Sequence, residues 1–329
     1  MKITWELFTL NLKTTFRIAH GASDQRHNVF VSIGEGIGEA AGVPHFGETQ
    51  AGIISYLESI VDRPWDPFQI EDLLVSLPPG SLAARAAIDM ALYDWLGKRL
   101  GQPLYRLWGL NPRKAPKTSF TIGIDEPTLM AERAQQSKMP IIKIKLGSPN
   151  DEAVVAAIRK VTSARLRVDA NAGWSREQAE RLIPRLAQYD LEFIEQPLPV
   201  GDIEGLRLLR EKKLGTPIFA DENIRTAHDV AAHAGAVDGV VIKLMKSSGI
   251  RQALQAIQVA RALDMQVMMG CMVESSLGVT AAAHLGPLCD YADLDGPLLI
   301  GNDPFEGLSY TDAHIILPDR PGLGVVRKI

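Results

Sequence analysis

Between residues 118 and 293 short apolar runs of strand length recur along the chain: TSFTIG, IIKIKL, LRVDA, EFIEQ, PIFADE, GVVIKL and QVMMG. The stretches between them are longer and helix-like. Ser175 and Gln178 in SREQAERLIPRL make a capping box of the S-x-x-Q type, and Thr226 and Ser248 are weaker helix starts. Alternation of strand and helix without hairpin signals predicts parallel strands joined by crossover helices. Lys143, Asp169, Glu195, Asp221, Lys243, Cys271 and Asp293, each at or near a strand end, follow one another at 26, 26, 26, 22, 28 and 22 residues. With TSFTIG as the first strand there are eight strand positions. The fold class is therefore α/β, a TIM-like (β/α)7β barrel over residues 115–304 rather than an open sheet.

Residues 1–114 follow another rule. VFVSIGEGIGEAAG alternates apolar and polar, and its glycines read as a hairpin turn. No strand–turn–helix unit surrounds them, as a nucleotide loop would need. LAARAAIDMALYDWLGKRL predicts a helix ending at Gly101. This is a small α+β domain.

Composition excludes more than it specifies. The chain has 329 residues, 46% hydrophobic and 22% charged, and a net charge of −4 without a long basic run. Neither nucleic acid nor an anionic membrane is an expected partner. MKITWELFTLNLK lacks the pattern of a signal peptide, and no apolar run approaches the length of a membrane span. Cys271 and Cys289 fit no metal or redox spacing, so a reduced, cytoplasmic compartment is expected.

Candidate chemistry gathers at the strand ends, which a barrel brings to one face. IIKIKLG places Lys143 and Lys145 on one side of a buried strand. Asp169, Glu195 and Asp221 each close an apolar run, and three converging carboxylates repel unless a cation holds them. Hard oxygen ligands suit one Mg²⁺, whereas zinc would call for His or Cys. Lys145 and Lys243 approach the barrel mouth from opposite sides. A substrate whose carboxylate met the Mg²⁺ would hold its α-carbon between them, so that one amine removes a proton and the other returns one. A free lysine pKa near 10.4 is too high for a base at neutral pH. On this reading the charge of Lys143 and of the ion lowers it, so Lys143 tunes and positions while Lys145 reacts.

Taken together, KIK at 143–145, VDANAGW at 168–174, IEQP at 194–197, ADE at 220–222 and IKLMK at 242–246 resemble the enolase superfamily, muconate-lactonizing subgroup. The resemblance spans nearly the whole chain and implies a capping domain completed by the tail, residues 305–329. It implies Asp169, Glu195 and Asp221 as metal ligands, Lys145 and Lys243 as the acid/base pair, and Asn171, Gln196 and Glu222 as their supports. Mg²⁺ would stabilise an ene-diolate, with a Lys or His as the base in this superfamily. Within the subgroup, DLDG at 293–296 is similar to the D-x-D of dipeptide epimerases, which binds the α-ammonium of an N-terminal residue. The implied activity is inversion of the C-terminal residue of an L,L-dipeptide, as in enzymes acting on L-Ala-L-Glu. Asp293 and Asp295 would receive the ammonium, and Cys271 and Met272 at the seventh strand end would line the pocket.

This chain departs from the Ala-Glu epimerases at one point. They carry an Arg for the glutamate side chain in the loop after the first strand. Here FRIAHGASDQRH puts Gly21 at that place, with Arg17 and Arg26 nearby. KSSG at 246–249 stands where many relatives have a Gly-Gly pair, an effect local to the helix start. The competing expectations are an N-acyl (N-succinyl) amino acid racemase or o-succinylbenzoate synthase of the same superfamily, and a non-catalytic binding relative. Both side chains of the dipeptide, and homo-oligomerisation, stay open.

Overall fold

A computed structural model describes residues 1–328. The chain opens with three antiparallel strands, β1 (Ile3–Ile18), β2 (Gly21–Ile33) and β3 (Gly36–Ala40), in sheet order β1-β2-β3. Helices α1 (Gln50–Ser59), α2 (Ile70–Val75), α3 (Leu82–Leu100) and α4 (Leu104–Leu107) follow. The barrel elements are β4 (Phe120–Ile122), α5 (Pro127–Ser137), β5 (Ile141–Lys145), α6 (Asp151–Val161), β6 (Arg165–Asp169), α7 (Arg176–Ala187), β7 (Leu191–Glu195), α8 (Ile203–Glu211), β8 (Ile218–Ala220), α9 (Ala227–Ala232), β9 (Gly239–Lys243), α10 (Ile250–Ala262), β10 (Gln266–Gly270), α11 (Ser276–Ala283), β11 (Tyr291–Asp293) and α12 (Gly296–Leu299). The tail adds β12 (Phe305–Glu306), β13 (Ser309–Thr311), β14 (His314–Ile316) and β15 (Val326–Arg327).

The eight strands β4 to β11 pair in parallel in sequence order, and a parallel bridge between Thr118 and Ala292 joins the last to the first. That is the expected (β/α)7β barrel. Its strands read as continuous apolar runs because both faces are covered: Ile141, Ile142, Ile144, Leu166, Val168, Val240 and Ile242 are all buried. Inside the barrel Phe193 and Phe219 stack at 4.2 Å, and the Arg167 guanidinium lies 5.4 Å from the Phe193 ring and 5.0 Å from that of Tyr291. Arg167 also pairs with Glu192 at 2.7 Å, which makes burying its charge tolerable.

GEGIG is the predicted hairpin, with Gly34 at φ 60° in the turn between β2 and β3. Its other glycines do something the sequence did not disclose. A Cβ on Gly36 or Gly38 would lie 2.0 Å from the Ala91 or Ala87 carbonyl, so α3 packs directly on the β3 backbone. Helix α3 starts on the Ser81 side chain and stops at Gly101 in the left-handed region.

Carboxylates of the N-terminal region cap two barrel helices. Asp89 on α3 accepts from the N–H groups of Ile250 (2.7 Å) and Arg251 (3.1 Å) at the start of α10. Glu39 on β3 accepts from Ser275 N–H and Oγ and from Gly278 N–H at the start of α11. The tail returns to the same region, where Leu323 N–H donates to Asp94 on α3 and Arg327 pairs with Glu6 on β1.

Two local expectations change. Ser175 and Thr226 cap α7 and α9 with complete capping boxes. Ser248 caps nothing: Gly249 at φ 108° precedes α10, and Asp89 from across the interface meets the first N–H groups instead. The segment FRIAHGASDQRH is not a loop. It is the end of a long β1–β2 hairpin that turns only at Ala19 and His20.

Candidate active site

Register assembles the site before any side chain is considered. Lys145 is paired with Asp169 and Asp169 with Glu195 across three adjacent strands, while Gly270 stands between Lys243 and Asp293. Gly270 has no side chain to obstruct this face, and a Cβ there would lie 3.0 Å from Lys243 Cε. Lys143 and Lys145, two residues apart on β5, both reach the cavity over the barrel, as does Lys243 from β9.

Asp169, Glu195 and Asp221 are buried, and one carboxylate oxygen from each lies within 4.8 Å of the others. Four lysines surround them. Lys143 Nζ lies 2.7 Å from Glu195, 2.7 Å from Asp293 and 3.2 Å from Asp169. Lys145 Nζ donates to Asp169 at 2.7 Å, and Lys243 Nζ to Asp221 Oδ2 at 2.6 Å. Lys246 Nζ donates to Asp221 Oδ1 at 2.5 Å.

The electrostatics follow from this crowding. Burial works to raise the Asp169 carboxyl, but Lys145 and Lys143 outweigh it and hold it below the usual range. Asp221 is likewise held down by Lys243 and Lys246 against the cost of burial. Glu195 goes the other way: burial, and the charge of Asp169, push it well up. Burial and the charges of Asp221 and Asp169 push Glu222 up to about 7. Lys143 and Lys243 are raised despite burial, by Asp293 and Asp221 respectively. The charge of Lys143 is thus matched by three carboxylates, and not left bare beside Lys145.

The residues present fit a divalent ion held by hard oxygens. Three carboxylates converge, one of them is driven toward protonation without further positive charge, and no Cys or His joins the group. Two further buried oxygens, Asn171 Oδ1 and Glu222 Oε2, have no hydrogen-bond partner, and both residues line the cavity. Around the acids, Asn171 N–H donates to Asp169 Oδ1 at 2.8 Å and Asn171 Nδ2 to Glu222 at 3.0 Å. Gln196 works through the backbone, its Oε1 accepting from Asp221 N–H at 2.9 Å.

Asp293 and Asp295 both line the cavity but are not equivalent. The Asp293 carboxylate is committed to Lys143 at 2.7 Å and the Ser119 hydroxyl at 2.7 Å. Asp295 Oδ2 accepts from Thr121 N–H at 2.6 Å, and the Thr121 side chain also hydrogen-bonds this carboxylate, which unlike that of Asp293 is not paired with a lysine. Burial and the Asp293 charge push Asp295 up to about 7.

The remaining wall is mostly apolar: Phe16, Ile18, Val43, Met272, Val273 and Leu299, with Cys271 beside Met272. Burial drives the Cys271 thiol well up, so it is no nucleophile. Arg26 lines this wall, whereas Gly21 and Arg17 do not. The cavity encloses about 640 Å³ when the open solvent at its mouth is counted with it. No helix among the described residues is long and apolar enough to cross a membrane.

Sequence reasoning assigned no role to Lys246, Ser119, Thr121 or Glu39. The second lysine in IKLMK and an acid inside the apolar GIGEAAG were the available signals for two of them. Ser119 and Thr121 gave none.

Residues 3–109 match the family described as mandelate racemase / muconate lactonizing enzyme, N-terminal domain, and residues 128–328 match enolase C-terminal domain-like. The chain is 40% identical to an L-Ala-D/L-Glu epimerase of Bacteroides thetaiotaomicron, over 99% of this chain and 88% of that one. It is 38% identical to a hydrophobic dipeptide epimerase of Roseobacter litoralis, over 99% of each. Among solved structures it is similar to a dipeptide epimerase of Cytophaga hutchinsonii complexed with Mg and the dipeptide D-Ala-L-Val. There the TM-score is 0.94 at 30% identity, covering 100% of this chain and 96% of the other.

Proposed function

The chain belongs to the mandelate racemase and muconate lactonizing enzyme family of the enolase superfamily, and from that premise we propose that it is a Mg²⁺-dependent dipeptide epimerase. Its substrate is an L,L-dipeptide, inverted at the α-carbon of the C-terminal residue. Asp169, Glu195 and Asp221 hold the ion. When bound, Mg²⁺ supplies the positive charge that stabilises the negative charge spreading onto the substrate carboxylate as the α-proton leaves. Lys145 and Lys243 are the two bases. They stand on the second and sixth of eight barrel strands, on opposite sides of the cavity. One, as the neutral amine, takes the α-proton, and the other, as the ammonium, delivers a proton to the opposite face.

Recognition of a dipeptide rests on one observation, the Asp295 carboxylate, buried on the cavity wall and, unlike Asp293, not paired with a lysine. A substrate with a free α-ammonium uses that charge, whereas an N-acyl amino acid or another anion would leave it buried without a partner. Asp293, engaged by Lys143, acts through that lysine and not on the ammonium directly. The apolar wall faces the dipeptide side chains. Incubating dipeptides of free and acetylated N-terminus in D₂O with Mg²⁺, and reading deuterium gain by mass spectrometry, tests the reading. Exchange confined to free dipeptides supports it; equal exchange of both favours the N-acyl amino acid racemase.

A further inference from the structure

Lys246 lies three residues beyond Lys243, in the turn joining β9 to α10, and is not part of the cavity wall. Its ammonium is nonetheless buried against a metal-site acid. An ammonium has three N–H bonds, and this one meets three acceptors: Asp221 Oδ1 at 2.5 Å, the Asp221 backbone carbonyl, and the Val241 carbonyl at 2.9 Å. Asp221 N–H is in turn held by Gln196 Oε1. The residue is thus fixed at its amide, its carbonyl and one carboxylate oxygen. Only Oδ2, on Lys243, faces a group that lines the cavity.

We infer that Lys246 is a positioning residue for the metal centre: it fixes Asp221 so that one defined oxygen is presented to the ion, without touching substrate. The inference rests on Asp221 being a metal ligand, as proposed above. Two effects oppose each other. A cation near the site repels Mg²⁺, but removing it leaves a buried carboxylate oxygen without a donor and a ligand free to turn or take a proton. The charge sits on Oδ1, the oxygen opposite the one Lys243 holds, so orientation outweighs repulsion. Removing such an outer partner weakens metal binding by roughly 10- to 100-fold.

The test is calorimetric titration of the substrate-free protein with MgCl₂, comparing wild type with Lys246→Met and checking folding by thermal melting in EDTA. The expected result is at least tenfold weaker Mg²⁺ binding in Lys246→Met. With Mg²⁺ raised to saturation, KM for dipeptide should stay within about twofold of wild type, because Lys246 does not reach the cavity. Tighter binding, or binding less than tenfold weaker, in a folded variant overturns the inference, as does a changed KM at saturating Mg²⁺. Should Lys246→Met not melt cooperatively, Lys246→Gln, which keeps a neutral donor, is judged by the same limits. Wild type failing to bind Mg²⁺ overturns the metal site itself, while wild type and variant binding alike overturns only the role of Lys246.

Discussion

Asp295→Asn is the sharpest test of substrate recognition, because the structure leaves one half of this side chain in place. The amide oxygen still accepts from Thr121 N–H, so the residue keeps its orientation and the barrel its fold. What changes is the other half, where a charged acceptor becomes a neutral NH₂ donor on a residue that lines the cavity. A hydrogen-bonded charge pair at a desolvated site is worth about 2–4 kcal/mol, so kcat/KM should fall roughly 30- to 1,000-fold. An N-acetylated dipeptide makes no such pair. Wild type should therefore strongly prefer the free dipeptide, and Asp295→Asn should lose most of that preference while its slow rate on the acetylated substrate barely changes. The pH profile carries the same signature. Asp295 is pushed up to about 7, so protonation below that pH removes the charge the ammonium needs. Wild-type kcat/KM should fall on the acid side with a midpoint near 7, and the variant should lack that limb. Polarimetry or chiral chromatography of both substrates from pH 5 to 9 measures all of this. A variant that keeps the wild-type preference for the free dipeptide would refute the assignment.

Other outcomes follow from the same geometry. EDTA should abolish turnover and Mg²⁺ restore it, and Glu195→Gln should lose several orders of magnitude in rate with the barrel still folded by circular dichroism; full activity in metal-free protein would contradict the carboxylate site. Lys145→Ala and Lys243→Ala should each stop net inversion, yet each retain α-proton exchange of one epimer in D₂O, opposite epimers for the two; exchange of the same epimer in both would exclude two bases. Lys143→Ala should slow both directions alike and lower the melting point in EDTA, since it strips the counter-charge from Glu195 and Asp293. Asp89→Ala removes the two N–H contacts that start α10 and should destabilise the fold by about 1–2 kcal/mol, seen in urea melts with kcat nearly unchanged.

The barrel was legible because its strands are buried on both faces and end in polar residues at a steady pitch. That pitch exposed Asp169, Glu195 and Asp221, and the two-residue period exposed Lys143 with Lys145. Their partners were not legible. Lys143 finds Asp293 only because the sheet closes between its first and last strands, and the sequence holds no local mark of that closure. Asp293 and Asp295 look equivalent in DLDG, yet Ser119 and Thr121 of the first strand treat them differently. Ser248 looked like a helix cap because that chemistry is local, whereas the true cap, Asp89, lies 161 residues away. The end of the β1–β2 hairpin carries no Asn-Gly or Asp-Gly to signal its turn, so a strand read as a loop.

Asp89 and Glu39 make the N-terminal region more than a lid. Each closes the start of a barrel helix that would otherwise begin on unsatisfied N–H groups, so the two regions should unfold in a single transition and neither should be stable alone. The stretch that carries these locks also supplies Phe16, Ile18, Arg26 and Val43 to the cavity wall. One share of the side-chain preference and its attachment to the catalytic barrel thus travel in one contiguous piece, while Met272, Val273 and Leu299 stay with the barrel. Grafting residues 1–114 from a relative should shift the share of substrate choice set by this wall while leaving the proton-transfer centre unchanged, provided the donor offers carboxylates at the positions of Asp89 and Glu39.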